Sequence, residues 1–240
     1  MSRSQGESGD ISADPVDWHS RIAADFASAY VRSARFRERK TIWTALIKKY
    51  LPLGGQVLDA GCGPGLLSEI AAPIAATVVA FDASSEMLVL AGKRLAEFGG
   101  KIQLSLARLE DTQRFGRDRF DIILCSSVLE YIANQDKAVE ALRIALKVGG
   151  VLVCSVPNSR SLYRRCEHQI HRLTGRPRYM DYSQWNWSNS EFRSALKQHG
   201  LKILEERTCG SAPLIGALMR KLGVGRFADT LLVAAAVREL

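Results

Sequence analysis

A chain of 240 residues with 47% apolar and 24% charged side chains is long enough to enclose one good core and too balanced for a disordered or fibrous protein. No run approaches the ~18 apolar residues of a membrane span, and the polar N-terminus lacks the apolar segment of a secretion signal, so a cytoplasmic protein is expected. The formal charge of +8 invites an anionic partner such as nucleic acid, a phosphorylated substrate or an anionic membrane surface, with general solubility as the plain alternative. Five cysteines without a C-x-x-C pair fit reduced thiols rather than a disulfide framework or a zinc site, and no metal is expected.

Residues 1–15 are rich in Ser, Gly and Asp and read as a disordered tail, leaving 16–240 as a single domain. Ile22, Phe26 and Tyr30 recur at helical spacing, and Ile42, Leu46 and Tyr50 with Trp43 and Ile47 form a second apolar stripe, so 16–50 reads as helical. Arg32, Arg35, Arg37, Arg39 and Lys40 read as a solvated helix face. The apolar run from Val57 then ends in Asp59 and breaks into Gly61, Gly63 and Gly65 before a helix opening at Leu66, which makes a strand, a tight turn and a helix. Without Cβ atoms these glycines let the backbone turn sharply and a ligand lie against it, beside the free N–H groups of a helix start.

A second strand, Thr77 to Phe81, ends in Asp82, about 20 residues beyond the glycines, where a carboxylate can accept both ribose hydroxyls of an adenosine. Ser84 or Ser85 caps a helix to about Phe98, Ile102 to Ala107 alternates as a third strand, and Glu110 and Asp111 follow in a loop. Phe120 to Cys125 is a near-continuous apolar strand of the kind covered on both faces. A helix is predicted from near Val128, another over Asp136 to Lys147, a turn at Gly149-Gly150 and a fifth strand over Val151 to Val156.

Beyond Asn158 the pattern changes. Leu162, Tyr163, Cys166, Ile170 and Leu173 form an apolar stripe amid Arg160, Arg164, Arg165, Arg172, Arg176 and Arg178, so residues 160–178 can meet an anionic membrane, grip an acidic substrate or pack on the domain. Tyr179, Met180, Tyr182, Trp185 and Trp187 then crowd a polar loop, as a substrate pocket wall or a satellite core, and 160–188 reads as an inserted cap. Ser188 and Glu191 predict a capping box for a helix to Gly200. A strand from Leu201 to Thr208, a helical excursion over Ala212 to Gly225 and a final strand from Leu231 to Val237 complete the chain.

The motifs Asp59-Ala60-Gly61-Cys62-Gly63-Pro64-Gly65, Phe81-Asp82-Ala83-Ser84, Phe120-Asp121-Ile122-Ile123 and Leu146-Lys147-Val148-Gly149-Gly150 resemble, in order and spacing, those of the class I S-adenosylmethionine-dependent methyltransferases. The resemblance covers about Val57 to Asn158. It implies an α/β, Rossmann-like three-layer sandwich whose seven-stranded, mostly parallel sheet carries one antiparallel strand. It also implies S-adenosyl-L-methionine as cofactor, held by Asp59, Gly61, Cys62, Gly63 and Gly65, by Asp82 and Ala83, and by Cys125 and Ser126 at the methionine end. Members often carry an acid after the third strand for the adenine amine. Arg108 stands there in this chain, which leaves the Leu109 amide, Glu110 or Asp111 for that contact.

N-terminal helices of the family fold over cofactor and substrate, which makes Trp18, His19, Phe26 and Tyr30 lid candidates. Quinone-type O-methyltransferases carry a Glu-Val-Leu-Glu-His segment whose side chains can bind metal; here Ser127-Val128-Leu129-Glu130-Tyr131 keeps one of them. The Asn/Asp-Pro-Pro-Tyr signature of amide and nucleobase methylation is absent. The expected reaction is methyl transfer to a small-molecule or lipid-like acceptor, on oxygen before nitrogen or carbon. Tyr131 is the favoured acceptor contact, and His19, Glu130 or Tyr131 is available as base, with His168 or His171 if the inserted helix folds inward. Rival readings are an RNA-directed methyltransferase using the Arg-rich and aromatic insert, a cofactor-binding protein without catalysis, and a nicotinamide-dependent oxidoreductase, against which Leu66 occupies the place of the third fingerprint glycine.

Overall fold

The computed structural model describes residues 14–23, 33–185, 187–211, 218–219 and 221–240. The expected tail to residue 13, Phe26 and Tyr30 of the first stripe, and half of the excursion from Ala212 lie outside the described residues. Helix α1 (Pro15–Arg21) starts where Pro at the first turn needs no N–H acceptor, and the Asp14 carboxylate caps it by accepting from the Val16 amide at 2.9 Å. The tail boundary expected at residue 15 therefore falls inside this helix. Helix α2 (Ala34–Tyr50) buries Arg39, Trp43, Leu46 and Ile47, one stripe at three- and four-residue spacing.

From there strands and helices alternate: β1 (Gln56–Ala60), α3 (Leu66–Ala71), β2 (Thr77–Asp82), α4 (Ser85–Leu95), β3 (Ile102–Leu106), β4 (Phe120–Ser126), α5 (Gln135–Ala145) and β5 (Leu146–Pro157). Ser84 caps α4 through the Met87 amide, as expected. After β5 come α6 (Leu162–Thr174), α7 (Asn189–Gln198) with the predicted Ser188–Glu191 capping box, and the closing strands β6 (Leu201–Cys209) and β7 (Leu231–Arg238).

Two further expected boundaries moved. The helix predicted from Val128 is only a 3-10 turn, Leu129–Tyr131, and the sheet rather than a Gly-Gly turn claims the segment from Leu146. Phe120 pairs with Leu146 and Ile122 with Val151, so β5 carries three more residues than β4 over this stretch and bulges, with Gly149 at φ +77°. Burial of Leu146 and an ion pair from Lys147 to Asp121 (2.7 Å) hold the bulge in the sheet.

The strand order is β3-β2-β1-β4-β5-β7-β6, parallel except for β7, which runs antiparallel to both β5 and β6. Alternate residues of each strand face opposite cores. Leu58, Ile123, Leu152 and Ala234 meet Leu142 and Phe192 on the α5 and α7 side, while Val57, Ile122, Val153 and Val233 meet Trp43, Ala71 and Ala91 on the α2, α3 and α4 side. That is the expected three-layer α/β sandwich. Because β1 has β2 on one side and β4 on the other, the chain reverses direction along the sheet there, and a crevice opens beyond the carboxyl ends of these strands.

Candidate functional site

The turn after β1 is pinned to β2: the Gly61 and Cys62 amides both donate to the Phe81 carbonyl at 2.9 Å. Gly61, Gly63 and Gly65 all have positive φ, yet each answers a different need. A Cβ on Gly61 would overlap Val128, so this glycine lets the loop after β4 come close. On Gly65 it would press on Ala91 and Leu95 of α4, a packing demand. On Gly63 it would meet nothing within 4 Å and would stand in the crevice itself.

Two carboxylates flank the turn. Asp82 accepts from the Gly63 amide through Oδ2 at 2.8 Å and from the Ser84 amide through Oδ1 at 2.9 Å, which locks turn and second strand together. Burial pushes its carboxyl above the usual range against those amide bonds. Asp59 is 1% exposed; its Oδ2 accepts from Ser68 Oγ at 2.7 Å, while its Oδ1 is buried with no partner. Desolvation lifts the Asp59 carboxyl to about 7.

The acceptor-side wall is built from distant segments. Ser126 and Ser127 end β4, Ser127 in the left-handed region at φ +55°, with its amide on Ser155 Oγ at 3.0 Å. Arg39 reaches across from α2 to both serine hydroxyls, at 3.0 Å for Ser127. Beneath it Glu130 is 5% exposed, its Oε2 buried and unpartnered. Burial raises its carboxyl above the usual range, while Arg164 and Arg39 pull it down. Burial also pushes the Tyr131 phenol far above its ordinary value, so that it stays protonated.

Helix α1 lies over this wall. His19 meets the Tyr131 ring edge-on at 4.7 Å, Trp18 stacks on Tyr182 at 5.5 Å, and Ser20 Oγ donates to Ser84 Oγ at 2.8 Å. At its start Asp14 pairs with Arg108 at 2.9 Å. Desolvation lowers the His19 imidazole to about 4, which keeps it neutral.

Asp59 and His19 pull stability in opposite directions with pH. Asp59 keeps its proton longer in the fold than unfolded (3.8 to about 7), so its contribution is full at low pH and is lost as pH rises through that window. His19 gives up its proton earlier in the fold (6.5 to about 4), so stability rises with pH between those values. Thermal melts of Asp59→Asn should therefore gain several degrees on the parent between pH 4.5 and 6.5, and those of His19→Gln should lose a comparable amount.

Both halves open onto one cavity of about 520 Å³. Of the residues expected to hold cofactor, Asp59, Gly61, Cys62, Gly63, Asp82, Ala83, Leu109, Glu110 and Ser126 line it, as do His19, Glu130 and Tyr131 from the catalytic candidates. Gly65 and Cys125 do not: the first packs against α4 and the second is fully buried in the sheet. Neither His168 nor His171 lines it, and His171 pairs with Asp181 at 2.8 Å. Asp111 turns back to the Arg108 amide at 3.0 Å, leaving Glu110 and Leu109 on the cavity side.

Of the aromatic loop, Tyr179 faces the cavity, whereas Trp185 and Trp187 pack with Phe192 as a satellite of the core. The Phe-Asp-Ile-Ile and Leu-Lys-Val-Gly-Gly motifs meet at the opposite end of the sheet, where Asp121 holds the Gln56 amide and Lys147. Sequence reasoning placed Ser127 beside Cys125 and Ser126 at this end of the sheet and Arg164 among the cations of a basic stripe, but it missed Arg39 and Asp14 as cavity residues. Only Arg39 carried a signal, for it lies four residues before Trp43, on the apolar stripe rather than opposite it.

Comparison with known proteins bears on the family and the fold. A family model described as a methyltransferase domain matches residues 32–206. A ubiquinone biosynthesis O-methyltransferase of Xanthomonas axonopodis pv. citri is 35% identical over 107 residues, 45% of either chain, so the chain spans about half the length of the curated relatives it matches. The fold is shared with magnesium protoporphyrin IX methyltransferase from Synechocystis PCC 6803, solved with bound S-adenosylhomocysteine (TM-score 0.71, 19% identity, 93% of this chain and 98% of that one). It is shared too with the N-methyltransferase NodS from Bradyrhizobium japonicum WM9 (TM-score 0.68, 17% identity, 93% and 97%).

Proposed function

This chain belongs to the methyltransferase domain family, as a class I S-adenosylmethionine-dependent member, and from that premise we propose that it methylates a hydroxyl oxygen of a small or lipid-like acceptor. The carrying observation is Glu130: a buried carboxylate oxygen without a partner, on the wall of the same cavity that the glycine turn and Asp82 line. The cofactor half fits the donor by its own geometry. Asp82 supports the ribose, the unpartnered Asp59 Oδ1 can take an ammonium or amide N–H, and the missing Cβ of Gly63 leaves room for the nucleoside. The bound cofactor supplies an electrophilic methyl on sulfur.

What the chain must do is align the acceptor oxygen with that methyl, exclude water and take a proton as the oxygen attacks. Glu130 is the base best suited to this. His19 at about 4 is too weakly basic, and the Tyr131 phenol holds its proton, so these two shape and close the pocket. The name of the curated relatives, an O-methyltransferase, supports oxygen as the acceptor atom. Labelled methyl transfer from S-adenosylmethionine should be measured over quinol, phenolic and fatty acyl acceptors. Glu130→Gln should lower kcat about 10²- to 10⁴-fold while leaving S-adenosylhomocysteine affinity within twofold. Full kcat in that variant, or no hydroxyl acceptor at all, would remove the proposal.

The membrane-peripheral reading rests on α6, which has no buried residue and shows Leu162 (51% exposed), Ile170 (52%) and Leu173 (86%) amid Arg165 and Arg172. Among the described residues no helix is long and apolar enough to cross a bilayer. Such a face favours adsorption to anionic lipid. Co-sedimentation with phosphatidylglycerol vesicles should exceed that with phosphatidylcholine vesicles, and Ile170→Glu with Leu173→Glu should abolish the difference.

A further inference from the structure

Helix α2 and helix α6 lie far apart in the sequence, yet each sends one arginine into the acceptor half of the cavity. Arg39 is 9% exposed, and its bonds to Ser126 and Ser127 use one terminal nitrogen, Nη2. Arg164 spends Nε on the Thr230 carbonyl at 2.9 Å, and its guanidinium stands over the Tyr179 ring at 6.0 Å. Both line the cavity, and both bear electrostatically on Glu130 and Tyr131, so the two cations flank one spot.

Among the described residues neither arginine stands in an ion pair with a carboxylate. The Glu130 oxygen that could have taken a guanidinium N–H is left without any hydrogen bond, and the bonds that Arg39 and Arg164 do make go to hydroxyls and a carbonyl. N–H groups remain on both guanidiniums, and a guanidinium presents its donors in the planar fork that recognises an oxyanion. Two guanidiniums against one carboxylate leave a surplus of one positive charge with Glu130 ionised. That surplus matches a monoanion such as a carboxylate better than a doubly charged phosphate. Tyr131, Tyr179 and His19 add aromatic surface to this wall, beside the aliphatic Val128 and Ile132.

We propose that the acceptor is a carboxylic acid, its carboxylate clasped between Arg39 and Arg164 so that a hydroxyl elsewhere on the molecule is presented to Glu130 and the methyl donor. The inference deepens the methyl-transfer reading and relies on it for what occupies the other half of the cavity. The two arginines thus set specificity and position the acceptor; Arg39 also borders the donor half through Ser126, whereas Arg164 does not.

The test separates the two claims. Calorimetry with S-adenosylhomocysteine first establishes the cofactor half; absence of binding there overturns the methyl-transfer reading and this inference with it. The full chain saturated with S-adenosylhomocysteine is then titrated with matched acids and amides: benzoate and benzamide, cinnamate and cinnamamide, decanoate and decanamide. At least one acid should bind tenfold or more tightly than its amide. Arg164→Gln and Arg39→Gln should each erase the preference, with S-adenosylhomocysteine affinity within twofold of the parent in Arg164→Gln; Arg164→Lys should restore part of it. If no acid is preferred over its amide although S-adenosylhomocysteine binds, or if the preference survives in both Gln variants, the inference is overturned. Arginines that merely neutralised Glu130 would weaken acid and amide alike, and that equal loss also counts against it.

Discussion

Asp82→Ala should lower affinity for S-adenosylhomocysteine by about 10²- to 10⁴-fold. A carboxylate offers about four acceptor sites, and the fold uses two of them, for the Gly63 and Ser84 amides. Two remain for the ribose hydroxyls, each a hydrogen bond to a charged acceptor worth about 1.5–3 kcal/mol. The alanine also frees the Gly63 amide, so the turn loses the anchor that shapes it. Asp82→Asn keeps the volume but sets an amide N–H against one of those backbone donors, and its affinity should fall at least tenfold. Calorimetric titration of both variants is decisive: affinity within threefold of the parent would mean that Asp82 does not touch the nucleoside.

Gly61→Ala should be strongly destabilising. At φ +73° an L-residue is strained by roughly 1–2 kcal/mol, and the new Cβ overlaps Val128, which adds an overpacking cost of about 1–3 kcal/mol. For a chain of this size that sum lowers Tm by roughly 5–15 °C. The two costs can be separated, because Val128→Ala in the same chain relieves only the overlap and should recover about half of the loss. Gly63→Ala isolates the other case. Its φ of +52° carries the strain without the overlap, so Tm should move by only a few degrees while the methyl intrudes on the nucleoside and cofactor affinity drops. Melting curves and S-adenosylhomocysteine titrations of the three variants check the set, and equal Tm for Gly61→Ala and Gly63→Ala would show that Val128 is not the obstacle.

The glycine turn, Asp82 and the closing antiparallel strand were legible because their signals are local. A residue without a side chain, or a carboxylate ending an apolar run, declares its backbone need within a few positions. Where the reading slipped, longer-range pairing had overridden a local cue. Gly149-Gly150 looks like a turn, but pairing with β4 and the Lys147–Asp121 contact draw it into a bulged strand. The run from Val128 looks like a helix start, yet Asn134 provides the cap that α5 uses, through the Lys137 amide at 3.0 Å. Likewise Arg164 scans as one cation among many on a basic helix, and nothing near it in sequence tells that it alone turns toward Thr230 and the cavity.

By itself, then, the order of residues determined a doubly wound sheet, a glycine turn with Asp82 beside it and the family, since each is encoded in contiguous motifs whose backbone geometry admits few residue types. Only the tertiary structure decided the acceptor half. Arg39, Glu130, Arg164 and His19 come from four separate elements, and their meeting depends on how α1, α2 and α6 pack over the sheet. Packing is set by the sum of many contacts distant in sequence, so the charge of that wall becomes visible only once the chain has closed on itself.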